Sequence, residues 1–222
     1  MIGVRRLASF FLLLIVATPL WAQDLTSFEK RVTVRKLDNG LTLIVLERPE
    51  APVFSYATVV NAGAAQEVAG ITGLAHMFEH MAFKGTESVG TTDITAERAA
   101  LQNVEDVYAA YDRERRKPVG RDDAKVAQLE KAWKDAVDAA EKYVVRNEFS
   151  KIVDQAGGVG MNAFTAMDET VYFYSMPANR LELWAYLESE RFLHPVFREF
   201  YKERDVVYEE RRLRYESSPF GR

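Results

Sequence analysis

Gly73-Leu74-Ala75-His76-Met77-Phe78-Glu79-His80-Met81-Ala82-Phe83-Lys84-Gly85-Thr86 holds two of the chain's three histidines, four residues apart with a glutamate between them. At about 100° per residue, His76, Glu79 and His80 fall on one side of a helix and Leu74, Phe78 and Met81 on the other. The pattern predicts a helix with one packing face and one chemical face. Imidazoles at i and i+4 suit a tetrahedral zinc ion, and a carboxylate beside the second is placed to accept a proton from activated water. The plainer reading is two surface histidines sharing a helix by chance. A strand and a glycine-containing loop ahead of the motif, and carboxylates near the end of the chain, weigh against it.

Upstream, Val32, Val34 and Leu37 alternate with polar residues, Asp38-Asn39-Gly40 makes a turn, and Leu41 to Leu46 continues as a strand. Val53 to Val60 reads as a third strand, and residues 61–70 as the loop that delivers the chain to the motif. Downstream, Val104, Val107, Tyr108 and Tyr111, then Val126, Leu129, Trp133, Val137, Ala140 and Val144, recur at helical spacing around Lys117-Pro118-Val119-Gly120. They predict an antiparallel helical hairpin whose charged faces are solvated. After Gly157-Gly158-Val159-Gly160, the segments 161–165 and 170–176 predict a second β-hairpin, followed by a helix over 178–192 packing on Leu181, Trp184, Leu187 and Leu193. The expected fold class is α+β, a largely antiparallel sheet packed with helices and interrupted by the helical hairpin.

The last helix is expected from about Phe197 to Glu216. Projection places Phe200, Glu203, Val206, Val207, Glu210 and Leu213 on one face. Carboxylates among apolar residues need a cation or strong donors, because burying one unpaired costs several kcal/mol. A zinc ion on His76 and His80 would serve both Glu203 and Glu210; an arginine such as Arg180 or Arg191 is the alternative for Glu203.

With 222 residues, 48% hydrophobic and 12% aromatic, the chain can bury one substantial core. Arg5 and Arg6, an apolar run from Leu7 to Val16, Pro19 and Ala22 predict a secretory signal peptide over 1–22, leaving 23–222 as the domain. The apolar run is too short for a membrane anchor. Secretion or a periplasmic location follows, with no membrane span after cleavage. A net charge of −4 gives no reason to expect nucleic-acid binding. The lack of cysteine excludes disulfides and thiolate ligands, so zinc would have to use His, Glu or Asp.

His76-Met77-Phe78-Glu79-His80, the hairpin around Gly160-Met161-Asn162-Ala163-Phe164-Thr165, and Glu203-Arg204-Asp205-Val206-Val207-Tyr208-Glu209-Glu210 together resemble the insulinase or pitrilysin family of inverted-motif zinc metallopeptidases. The resemblance implies a zinc metalloendopeptidase domain with His76, His80 and Glu210 as ligands, Glu79 as general base and Glu203 as a supporting carboxylate. It implies that Asn162, Ala163 and Phe164 lie on an edge strand that pairs with a peptide substrate. Glu210 stands farther from His80 than is usual in the family, by roughly the length of residues 103–150, which therefore read as an insertion. Family members enclose a chamber with further αβ units, so a fragment needing a second peptidase half or homologous subunit is expected. The rival readings are a non-catalytic peptide-binding subunit and a helical adaptor built on the hairpin.

Overall fold

The computed structural model describes residues 28–217, so the proposed signal peptide over 1–22 lies outside the described residues. The chain divides into two compact units that meet in sequence between Ala51 and Pro52. The first contains an antiparallel hairpin, β1 (Val32–Lys36) and β2 (Thr42–Leu46), in register from Val32↔Leu46 to Lys36↔Thr42. Its turn uses Gly40 at φ 90°, and Asn39 Oδ1 accepts the Leu41 amide at 3.1 Å. Asn-Gly was the signal for this turn, since both residues tolerate such backbone.

The second unit is built on an antiparallel sheet in the order β3-β5-β4, with β3 at Val53–Val60, β4 at Val159–Thr165 and β5 at Thr170–Pro177. Strand β5 is central, and Val171, Tyr172, Tyr174 and Met176 on it are buried. The motif helix is α1 (Leu74–Met81), and α2 (Ile94–Arg115) and α3 (Asp123–Ala140) form the helical hairpin. Asp93 and Asp122 cap those two helices, their side chains accepting the amides of Ala96 and Lys125. A further helix, α4 (Glu148–Gln155), precedes β4, and α5 (Leu181–Leu193) and α6 (Phe200–Arg211) complete the unit. A π-helical turn, Arg212–Glu216, continues α6. The fold class is thus α+β, as expected.

Helix α4 was not anticipated, because its apolar residues Phe149, Ile152 and Val153 merge by spacing into the end of the hairpin. Phe149 and Val153 are fully buried with Val89, Tyr174, Met176 and Leu187, at about 1.5–3 kcal/mol per side chain. Helix α5 also packs differently from the expectation. Leu181 and Leu193 are exposed, whereas Leu187, Glu188 and Arg191 are buried. The charged pair survives inside because it is partnered. Glu188 accepts the Tyr56 and Thr58 hydroxyls at 2.7 and 3.1 Å and pairs with Arg191 at 2.5 Å. The Arg191 guanidinium also lies 4.7 to 5.5 Å from the rings of Phe83, Phe149, Tyr172 and Phe192. Burial, then the charge of Glu188, holds the Tyr56 hydroxyl protonated far above its ordinary range.

A second buried pair fixes the loop that follows α1. Arg198 and Glu97, at 1% and 0% side-chain exposure, form a bidentate bridge of 2.8 and 3.0 Å. The remaining Arg198 donors reach the carbonyl oxygens of Lys84, Thr86 and Val89 at 2.8, 2.8 and 3.0 Å. Gly85 and Gly90 let the loop wrap this closely. Their φ angles are +96° and +93°, and a Cβ on either would come within 2.8 Å of the guanidinium. Replacing Arg198 by Met strands a buried carboxylate and three carbonyls, so urea denaturation is expected to show a loss of about 3–5 kcal/mol. Adding Glu97→Gln should restore part of it; a loss below about 1 kcal/mol for Arg198→Met would contradict the assignment.

Candidate metal centre

Helix α1 starts at Gly73, whose φ of 95° turns the chain into the helix without a side-chain cap. Glu67 supplies the missing acceptor, taking the amides of Gly73 and Ala75 at 2.6 and 2.7 Å. The buried face of α1 consists of Met77 and Met81. Leu74 and Phe78, expected to pack, are exposed, and Phe78 meets Phe197 edge to face at 5.4 Å. The helix is rotated toward the sheet through its methionines, which leaves His76, Glu79 and His80 half-buried between the core and solvent.

Helix α6 brings its carboxylates to the same place. His76 Nε2 lies 3.4 Å from Glu210 Oε2, His80 Nε2 lies 3.8 Å from Glu210 Oε1, and the two Nε2 atoms are 3.2 Å apart. One donor atom from each of His76, His80 and Glu210 can be chosen so that all lie within 4.8 Å. Around a tetrahedral zinc with bonds of 2.0–2.1 Å, neighbouring ligand atoms are separated by about 3.3 Å. The donor set therefore fits a divalent zinc in chemistry and in spacing, and it leaves a coordination position for a non-protein ligand.

Glu203 sits one step behind the histidine. Its Oε2 is 3.2 Å from His80 Nδ1, and its Oε1 is 2.5 Å from Lys84 Nζ, which also contacts Glu199 at 3.3 Å. A carboxylate on Nδ1 fixes the proton there and turns the Nε2 lone pair toward His76 and Glu210. The same hydrogen bond raises the pKa of His80 against the effect of burial, and lowers that of Glu203. The partner of Glu203 is thus the His80–Lys84 pair, while Arg191, weighed above as an alternative, is paired to Glu188.

Glu79 projects toward the β4–β5 turn, where Thr165 Oγ1 donates to its Oε2 at 2.6 Å. The neighbouring Thr170 hydroxyl donates to Ala62 O at 2.9 Å. Neither Thr165 nor Lys84 was singled out from the sequence. Lys84 lies four residues after His80, in the loop that follows α1.

Beside Glu79 and His80 opens a cavity of about 280 Å³ lined also by Phe83, Lys84, Asn162, Ala163, Glu199 and residues 144–147. Its wall carries Asn147 and Glu199, the two non-glycine residues with positive φ among the described residues, at 59° and 57°. Residues in the left-handed region cluster where the chain is held for a purpose. Asn162 and Ala163 reach this cavity from β4, an edge strand, whereas Phe164 lies outside its lining with its ring 6.4 Å from that of Phe173. Residues 144–147 and Ser150 fall inside the 103–150 stretch, so its last part walls the cavity.

The family model for insulinase, peptidase family M16, matches residues 43–115. The chain is 27% identical over 224 aligned residues to zinc protease PqqE of Helicobacter pylori, covering 99% of this chain and 37% of that protein. The crystal structure of a protease from Helicobacter pylori superposes with a TM-score of 0.55 at 26% identity, over 86% of this chain and 33% of that one. The first half of the periplasmic protease PqqL from Escherichia coli shares the fold, with a TM-score of 0.52 at 22% identity over 83% of this chain and 30% of that one. The chain thus spans about a third of the length of these proteins. Its histidine pair on α1, its α+β architecture and these similarities point the same way: residues 43–115 match the insulinase peptidase family, and the chain as a whole is similar to longer zinc proteases.

Proposed function

We propose that this chain carries the zinc site of a metalloendopeptidase that hydrolyses peptides or small proteins. The observation that carries the reading is the convergence of His76 Nε2, His80 Nε2 and a Glu210 oxygen at the spacing of tetrahedral ligands. Zinc bound there supplies Lewis acidity toward a carbonyl and acidifies water. Glu79, held through Oε2 by Thr165, keeps a carboxylate beside the site to accept a proton from the attacking water and return it to the departing amine. Glu203, anchored by Lys84, keeps the His80 ring oriented. The free edge of β4 at Asn162 and Ala163 offers backbone groups to an extended peptide, with the adjoining cavity for a side chain.

Residues 23–222 then form an N-terminal peptidase domain acting with a second half of the kind the longer relatives have room for. An N-terminal signal peptide would send it to the periplasm or outside the cell. Among the described residues no helix is long and apolar enough to cross a membrane.

The test is metal analysis and peptide turnover of the purified chain, alone and with a complementing half. About one zinc per chain is expected, lost in His76→Ala with His80→Ala; stoichiometric zinc in that double variant would refute the site. Glu79→Gln should retain zinc and lose hydrolysis by about 10²-fold or more, since an amide cannot accept the proton. Undiminished turnover by that variant would remove Glu79 from the mechanism. Glu203→Gln should weaken zinc binding about 10–100-fold in chelator competition without unfolding the chain, and an unchanged affinity would deny Glu203 its orienting role.

A further inference from the structure

The helix that delivers Glu210 is held at its two ends by different things. Tyr201, in the first turn of α6, is 9% exposed and packs with Val104 of α2 and Ala136 and Ala140 of α3. Its ring lies 4.5 Å from that of Tyr108 and 5.2 Å from that of Trp133, and its hydroxyl reaches both Glu105 oxygens at 3.1 Å. Arg204 donates to the Tyr108 hydroxyl at 3.4 Å, and Lys202 pairs with Glu141 just after α3. Tyr201 and Glu203 are separated by about 200° around the helix, so the side of α6 that meets the hairpin is turned away from α1.

Beyond Arg204 this support ends. Val206, Tyr208 and Leu213 are exposed, and Glu210 lies nine residues past Tyr201, about 13 Å along the helix axis. Its contacts with His76 and His80 hold that end of the helix. The carboxylate is therefore carried on a lever whose foot is clamped by α2 and α3.

We propose that the α2–α3 hairpin is a brace for Glu210, so that metal binding and the ordering of the hairpin are thermodynamically coupled. The inference rests on the metal-site reading above. It gives residues 103–150, read above as an insertion, a role in the site. If the brace favours the position from which Glu210 binds, then binding through Glu210 favours the brace by the same factor. Trp133, far along the chain from every ligand, is the positioning residue through which the coupling is most directly weakened.

The experiment measures amide hydrogen exchange of the full chain with and without zinc, in the native sequence and in Glu210→Gln. It adds zinc affinity and the cobalt absorption spectrum for the native sequence, for Glu210→Gln and for Trp133→Ala. The expected result is that zinc slows exchange in α2 and α3 at least tenfold in the native sequence and much less in Glu210→Gln. Trp133→Ala should bind zinc at least tenfold more weakly, with a cobalt spectrum shifted toward that of Glu210→Gln. If the native chain binds zinc while hairpin exchange is unchanged, or if folded Trp133→Ala binds as tightly as the native chain, the brace is refuted and the metal site stands. If the native chain binds no zinc, the site itself is refuted. Should Trp133→Ala fail to fold, the exchange comparison decides alone.

Discussion

The buried bridge between Arg198 and Glu97 is the constraint on which the site depends. A guanidinium removed from water is stabilised by acceptors for its polar hydrogens, and Arg198 finds two carboxylate oxygens and three loop carbonyls. Meeting that demand fixes three elements at once: the start of α2 through Glu97, the loop after α1 through Lys84, Thr86 and Val89, and the approach to α6 through Arg198 itself. His80 lies four residues before Lys84, and Glu203 five residues after Arg198. The histidine helix and the carboxylate helix are thus tied to one buried charge.

Charge around the site is arranged so that each side chain has one job. Glu203 uses one oxygen for His80 and the other for Lys84. Glu79 gives one oxygen to Thr165. Glu203, held at both oxygens, fixes the His80 ring, whereas Glu79, held at one, keeps its orientation while the other oxygen stays available for proton transfer.

Much of this was legible in the sequence where one short pattern carries the information. The i, i+4 histidines, the Asn-Gly turn, the alternation of Val32, Val34 and Leu37 and the helical spacing of Val126 to Ala140 each state a local geometry, and each element formed. Projection of the last helix put Glu210 on a face with Val206 and Leu213, yet both of those residues are exposed, so the carboxylate meets the histidines without a buried apolar face around it. What was not legible depends on partners distant in the chain. The burial of the Glu188–Arg191 pair was not legible, because nothing local says that Tyr56, Thr58 and four aromatic rings will enclose it. Leu74 and Phe78 read as core, because the sheet selects which flank of a short helix it covers. Helix α4 was hidden because its apolar residues continue the period of the hairpin before it. For the same reason the stretch 103–150 looked separable, although Phe149 is in the core and residues 144–147 wall the cavity.

Two helices, held by a buried arginine, would present two imidazoles and one carboxylate to a single zinc ion. X-ray absorption at the zinc edge of the loaded chain tests this geometry. Two imidazole nitrogens and light oxygen donors at about 2.0–2.2 Å are expected, with the multiple scattering of two rings. An all-oxygen shell without imidazole scattering would contradict it.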